Sequence, residues 1–348
     1  MAYTDIDKPS DYFNTKLYTG NASTQAITGI NFQSDMVWTK ARSGTYGTQD
    51  HAIIDVVRGV TKTIRPNETT TEGTETNTIT SFDTDGYTIG GDNGKFNQSS
   101  TEYASWNWKA NGAGSANTDG SQSATVSVNT TAGFSIVKFV NVTTATANTF
   151  GHGLSVAPKV IIMRSLDSAY NWDVYHHKIA ISKRLILNSN SAESSSTYMN
   201  STSPTNEVFT VKSDEFANND DCIAYCFNDV QGYSKFGSYT GNGNADGPFC
   251  FTGFKPAFVL TKTASAAYHW SINDNKRNTF NPNDKRLYPS TNGVEATADA
   301  YDIDFLSNGF KIRSSSVSFN ASGDNVIYMA FAENPFVTGA SAIPTTAR

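Results

Sequence analysis

The chain has 348 residues, which exceeds the needs of one small core and fits two or three domains. Its formal net charge is −6 and no cluster of Lys and Arg stands out, which argues against direct nucleic-acid binding. No apolar run approaches the ~20 residues that span a bilayer, so we expect no membrane insertion. The first residues lack the features of a secretory signal, and we expect the protein to fold in a cytoplasm.

The composition favours strands. Aromatic residues are plentiful, with 21 Phe, 16 Tyr and 5 Trp, whereas charged residues make up only 17% of the chain. Asn, Ser, Thr and Gly fill the gaps between short apolar runs. Since β-branched and aromatic residues fit a pleated surface and Asn, Asp and Gly supply turns, this mixture predicts an all-β protein.

In chain order, the same elements recur three times. A Tyr-Thr-Gly-Asn opening occurs at Tyr18 and again at Tyr239. Next comes a strand that ends in a basic residue, at Lys40, Arg164 and Lys262. An element ending in an acid and an arginine follows at residues 53–58 and 271–277, with Val174-Tyr175-His176-His177 in the middle copy. Turn signals stand at Asp85-Gly86 and Asn308-Gly309. Each copy closes on a strand with period-two alternation, at residues 103–108, 222–227 and 326–331.

These correspondences predict three tandem repeats of a small antiparallel β-sandwich, lectin-like or jelly-roll-like in character. The predicted organisation consists of an N-terminal extension (1–11), module 1 (12–110), a polar linker (111–132), module 2 (133–231), module 3 (232–336) and a C-terminal extension (337–348). We expect Trp108, Phe227 and Phe331 to occupy equivalent core positions. The long polar stretch predicts that module 1 is separable, and the short second junction predicts that modules 2 and 3 form one rigid unit.

Metal and cofactor sites are not expected. Asp83-Thr84-Asp85-Gly86 lacks the downstream acid of a calcium loop and is interpreted as a turn. Adjacent histidines on a strand point to opposite faces, so His176 and His177 cannot both join His152 in a zinc site. The three cysteines, Cys222, Cys226 and Cys250, are interpreted as core or half-buried thiols.

We also expect no enzymatic activity and no catalytic residue. Glycoside hydrolysis needs two carboxylates, for which module 3 offers Glu295, Asp302, Asp304 and Glu333. Their counterparts in the other modules are mostly not acidic. The pairs Asp55/Arg58 and Asp274/Arg277 are interpreted as salt bridges or turn caps, which contribute only ~0–1 kcal/mol when exposed.

Ligand binding is expected in loops that differ between the modules. The candidates are two aromatic clusters: Tyr170, Asn171 and Trp172 with His176 nearby, and Tyr268, His269 and Trp270. An aromatic face can stack on a sugar ring while Asn and His hydrogen-bond its hydroxyls. The alternative is that Trp172 and Trp270 begin a strand and plug the module edge.

Three strings carry a resemblance. These are Asp5–Phe13 followed by Tyr18–Asn21, then Gly232–Gly243, and finally Ala330–Phe336. In these strings the chain resembles virion proteins of marine tailed bacteriophages, over nearly its whole length. Such proteins are usually labelled tail-fibre-like or structural.

The resemblance implies a component of the virion surface, with a tail-fibre or receptor-binding role in host attachment. Capsid decoration and a glycan-degrading depolymerase are the alternatives. The expected partners are other virion proteins, further copies of the same chain and a host cell-surface glycan.

Overall fold

Alternating apolar and polar side chains form antiparallel strands along the chain, and the all-β prediction is confirmed. The computed structural model describes residues 4–44, 46–338 and 345–346. Within them, the helices are α1 (Val317–Asn320) and two 3-10 turns, Pro9–Asp11 and Asp299–Tyr301. None of the helices in these ranges has the length and apolar character needed to cross a membrane.

The strands follow one another in three groups. The first group is β1 (Phe13–Thr19), β2 (Gln25–Ile27), β3 (Met36–Ala41), β4 (Ala52–Asp55), β5 (Lys62–Thr63), β6 (Gly73–Thr74), β7 (Ile79–Asp83), β8 (Gly86–Ile89) and β9 (Glu102–Trp108). The second is β10 (Ser115–Asn117), β11 (Ala124–Asn129), β12 (Phe134–Val140), β13 (Ala147–Gly151), β14 (Val160–Ser165), β15 (Asp173–His176), β16 (Lys183–Ile186), β17 (Ser194–Ser195), β18 (Val208–Lys212) and β19 (Asp221–Phe227). The third is β20 (Ser234–Thr240), β21 (Phe249–Phe251), β22 (Phe254–Thr263), β23 (Ser271–Asp274), β24 (Lys285–Arg286), β25 (Ala296–Thr297), β26 (Ile303–Leu306), β27 (Gly309–Ile312) and β28 (Asn325–Pro335).

The main sheets of the three modules share one strand order. It is β1-β9-β3-β4 in module 1, β12-β19-β14-β15 within the larger sheet of module 2, and β20-β28-β22-β23 in module 3. In each, the closing strand lies between the opening strand and the strand that ends in a basic residue. The register also corresponds, because Trp108, Phe227 and Phe331 each pair with the first residue of the opening strand. The three main sheets thus share their strand order and this register.

A smaller sheet covers the outer face of each main sheet. These sheets are β2-β8-β7, β13-β18 and β21-β27-β26, and each encloses its own apolar cluster around Tyr87, Phe209 or Phe310. The turn predictions are confirmed, because β7 and β8 are joined across Thr84-Asp85, and β26 and β27 across Ser307-Asn308. Each module is therefore a small two-layer antiparallel sandwich.

The inner faces of the three main sheets pack against one another in a shared core. The rings of Trp108, Phe227 and Phe331 meet there, with centroids 6.3 Å apart for Trp108–Phe227, 5.7 Å for Trp108–Phe331 and 6.0 Å for Phe227–Phe331. A small apolar cavity of about 20 Å³ lies beside them, lined by residues of all three modules. The three closing strands thus face a common centre.

Two expectations about domain organisation are wrong. Residues 111–132 are not a linker, because β10 and β11 lie in them and extend the main sheet of module 2 beside β12. The stretch contains few apolar residues, but Ala124 and Val126 alternate and are buried, which suffices for a strand near a sheet edge. Module 1 is not separable either, since its inner face lies in the shared core.

Side chains at corresponding positions also join the modules in a closed circle. His51, Trp172 and Trp270 each stand directly before β4, β15 or β23. The bonds run from Trp172 Nε1 to the Arg65 carbonyl (2.8 Å), from Trp270 Nε1 to the Ile186 carbonyl (2.8 Å), and between His51 Nε2 and the Tyr288 carbonyl (3.1 Å). Module 2 thereby bonds to module 1, module 3 to module 2, and module 1 to module 3.

Backbone groups form a second circle in the opposite direction. The amide nitrogens of three glutamates donate to carbonyls just beyond the basic ends of β3, β14 and β22. These bonds are Glu72 to Leu166 (2.7 Å), Glu193 to Ala264 (2.7 Å) and Glu295 to Arg42 (3.0 Å). Each module therefore contacts both others through corresponding groups, and the three form one continuous body.

Candidate functional site

The tryptophans of the two predicted aromatic clusters belong to the core. Trp172 is 0% exposed and Trp270 is 2% exposed. Both use their indole nitrogens to bond the neighbouring module, so neither ring can stack on a ligand. The expectation that these two rings bind sugar is wrong. The alternative fits their position, because both lie directly before a strand and are covered at the edge of their module. The sequence could not separate the two, because the covering surface comes from another module.

The remaining residues of those clusters do not form a joint site. Tyr170 packs edge-on against Phe216, Asn171 accepts a hydrogen bond from Asn188, and Tyr268 is half-buried. His176 is buried, its Nε2 lies 3.2 Å from the Tyr328 carbonyl, and burial lowers the pKa of its imidazole to about 3. His269 alone among them is exposed, and its Nδ1 lies 2.8 Å from the Ser290 hydroxyl.

The predicted acid–arginine pairs are buried ion pairs at the module junctions. Asp55 and Arg58 are joined at 2.6 Å, and the Tyr225 hydroxyl of module 2 donates to the same carboxylate. Asp274 and Arg277 are joined at 2.5 Å, and the Trp106 indole of module 1 donates to Asp274. The interpretation as salt bridges is confirmed, but the modest contribution expected for an exposed pair does not apply, because both pairs are buried and removing one partner of a buried pair typically costs ~3–5 kcal/mol.

Three of the four acids considered for glycoside hydrolysis, Glu295, Asp304 and Glu333, are held in ion pairs. Glu295 contacts both Arg42 and Arg277, and although burial opposes its ionisation, these guanidiniums hold the pKa of its carboxyl below the ordinary value. Asp304 lies 3.4 Å from Arg313, and Glu333 lies 3.7 Å from Lys255. A general acid needs a raised pKa, so Glu295 is shifted in the wrong direction. The described residues also contain no cluster of three or more His, Cys, Asp or Glu placed to hold a metal ion.

Exposed aromatic rings lie instead on the outer sheet of module 3. In β21, Cys250 points into the core, while Phe249 and Phe251 point outward and are 45% and 58% exposed. Period-two alternation places both rings on the same face. The ring of Phe249 leans over Gly309, where a Cβ would come within 3.1 Å of it. Phe251 is the last residue of β21, which is an edge strand of this sheet.

A groove of about 430 Å³ runs past Phe251 at the junction of modules 2 and 3. It is lined by Asp229, Gln231, Ser234, Lys235, Phe251, Thr252 and Gly253. Lys235 Nζ lies 3.0 Å from Asp229 Oδ2, and the other oxygen of Asp229 accepts the Phe236 amide at 2.7 Å. The groove therefore combines an aromatic wall with a fixed carboxylate and a half-exposed ammonium. We call it the Phe251 groove.

A second groove of about 450 Å³ adjoins the first. Its lining comprises Asp5, Thr130, Thr131, Leu154, Val156, Asn228, Asp229, Val230 and Gln231. Asp229 and Gln231 line both grooves, so the two lie on either side of the turn that joins β19 to β20. The two grooves are therefore neighbouring recesses of the junction with this turn between them.

The corresponding sheet of module 1 shows that the fold does not need these aromatic rings. Tyr87 and Phe310 each follow the glycine of a hairpin turn, and they pair with Ile27 and Cys250 respectively. By this register, Ala26 and Thr28 occupy the places of Phe249 and Phe251. The sequence signal for the site was the alternation Phe249-Cys250-Phe251. Only the strand register shows that Cys250 points inward and that both Phe rings point outward.

No curated protein and no solved structure shows significant similarity to the chain. Residues 8–335 match the model of a family described as a domain of unknown function, DUF7483. This match covers nearly all of the chain, which therefore belongs to the DUF7483 family.

Proposed function

We propose that the protein is a non-catalytic structural component of the surface of a tailed-phage virion, with a tail-fibre or receptor-binding role in host attachment. The observation that carries the proposal is the Phe251 groove, an aromatic and charged recess on a rigid three-sheet scaffold. Recognition surfaces are commonly placed at the periphery of such scaffolds, while the strands supply packing. The sequence resemblance to virion proteins is the basis for proposing that the protein lies on a phage particle.

The location of the resembling strings agrees with this proposal. The string Gly232–Gly243 opens module 3, and its residues Ser234 and Lys235 line the Phe251 groove. The string at Asp5–Phe13 supplies Asp5 to the adjoining groove and Phe13 to the shared core. These two strings thus contribute to the Phe251 groove, the adjoining groove and the shared core.

The scaffold itself suits a particle surface. One shared core and two circles of hydrogen bonds join the modules, so that local opening of one module must disrupt contacts with both others. Two acid–arginine pairs, Asp55 with Arg58 and Asp274 with Arg277, are buried at the junctions. These charged groups serve cohesion between the modules, so a depolymerase is the less favoured alternative.

Purified particles of the virus that encodes the chain provide the test. We expect a labelled antibody against the protein to mark the tail in electron micrographs, with a copy number of a handful to a few dozen by quantitative mass spectrometry. Labelling over the head with hundreds of copies would support capsid decoration instead. Absence of the protein from purified particles would refute the proposal.

Attachment is tested separately with the isolated protein. We expect free protein to compete with particles for host cells and to slow their adsorption, because both would occupy the same receptor. Release of reducing sugar ends from host polysaccharide by the protein would favour the depolymerase. Serum albumin at the same concentration serves as the control.

A further inference from the structure

We propose that the Phe251 groove binds a saccharide, with the sugar ring stacked on Phe251 and its hydroxyls bonded to Asp229 and Lys235. This inference rests on the proposed attachment function and names the chemical class of its ligand. No part of it involves a reaction at the ligand.

The aromatic wall is the first argument. Phe251 is 58% exposed although the same position in module 1 carries Thr28, so a small polar residue satisfies the fold there. The π-face of a benzene ring is electron-rich, and it attracts the weakly positive C–H groups on one face of a pyranose ring. An exposed ring at a groove edge is thus suited to a sugar, which has one face rich in C–H groups.

The polar lining is the second argument. Asp229 Oδ1 is fixed by the Phe236 amide, while Oδ2 faces Lys235, whose side chain is 43% exposed. The ammonium of Lys235 has three donors and uses one on Asp229, so donors remain for a ligand. Gln231 is exposed, and its side-chain amide, which makes no hydrogen bond to the residues that the structure describes, adds a donor and an acceptor. Neighbouring hydroxyls of a sugar both donate and accept, and they match this mixture.

Size and shape are the third argument. Small-molecule sites typically occupy ~300–1,000 Å³, and the Phe251 groove has about 430 Å³. The adjoining groove of about 450 Å³ shares Asp229 and Gln231 with it and has six polar residues among its nine lining residues. An oligosaccharide laid across the turn between the grooves would contact both, so a longer chain should bind more tightly than a disaccharide.

The experiment uses saturation-transfer difference NMR on the full chain. The probes are di- and hexasaccharides of the cello-, malto-, chito- and mannuronate series, each titrated to obtain a dissociation constant. The test variant is Phe251→Thr, which installs the residue that module 1 carries at that place. The matched control is Phe280→Ala, since Phe280 is 77% exposed and lies outside the groove lining.

We expect at least one hexasaccharide series to bind more tightly than its disaccharide. Phe251→Thr should weaken that binding about tenfold, as loss of one aromatic stack predicts, and Phe280→Ala should leave it within about twofold. Urea unfolding of both variants verifies that the fold is intact. Lys235→Met, which removes the ammonium donors and leaves the Phe251 ring in place, should also weaken binding.

Three results would overturn the inference: no binding of any hexasaccharide, unchanged binding by Phe251→Thr, or equal loss with Phe280→Ala. The last would indicate general adhesion to exposed rings. If the protein is found on the tail but binds no saccharide, the inference fails while the proposed function stands. If it binds saccharide but is absent from particles, the groove assignment stands and the virion role fails.

Discussion

Replacing Phe331 with Ala should destabilise all three modules together. Phe331 is 1% exposed and lies at the centre of the shared core. Six aromatic rings surround it, at centroid distances from 5.0 Å for Phe13 to 6.1 Å for Phe258. These neighbours come from all three modules, so the truncation removes contacts between the modules.

The expected loss is about 3–5 kcal/mol of unfolding free energy, from lost burial and from the cavity that remains. We expect the upper half of that range, because the surrounding rings are held by three separate sheets and cannot readily close the gap. The cavity of about 20 Å³ beside the triad would also be enlarged.

Urea titration monitored by both tryptophan fluorescence and far-ultraviolet circular dichroism measures this loss. Fluorescence reports on every module, since Trp106, Trp172 and Trp270 lie in modules 1, 2 and 3. We expect one coincident transition at a lower urea concentration than for the unaltered protein. Phe280→Ala should change the free energy of unfolding by less than about 0.5 kcal/mol. A loss below about 1 kcal/mol, or a separate early transition of module 3 alone, would refute the shared-core argument.

Three further predictions concern a bond between modules, a buried amine and the stability of an isolated module. Trp172→Phe keeps an aromatic ring but removes the indole donor to the Arg65 carbonyl, which retains only its 3.2 Å bond from the Glu68 amide. The unfolding free energy in urea should therefore fall by about 1–3 kcal/mol while saccharide binding persists. Burial lowers the pKa of Lys40 to about 7, so the unfolded chain binds more protons above that pH and stability should rise from about pH 7 to about pH 9. Lys40→Met should reduce that rise, and an unchanged slope would argue against the buried amine. The isolated fragment 1–110 would expose Trp108 and should show no cooperative thermal transition by circular dichroism, whereas a sharp one would contradict the shared core.

Local patterns in the sequence determined the strands and the turns. Alternation at residues 222–227 places Ile223, Tyr225 and Phe227 on one face, because successive side chains of a strand point in opposite directions. The turn at Asp85-Gly86 depends on the positive φ of 100° at Gly86, which glycine adopts without steric cost. Both effects act between residues close in the chain, so they can be predicted without knowledge of the tertiary structure.

Only the tertiary structure decided which apolar residues are covered. Trp172 has the aromatic and loop-like context of a binding residue, but another module supplies the carbonyl and the surface that bury it. The Phe251 groove likewise depends on the docking of modules 2 and 3, which brings Asp229 beside Phe251. A strand pattern specifies two faces of a sheet, yet what packs on each face depends on residues distant in sequence. Exposure, and with it the candidate site, therefore followed from the assembly of the three sheets.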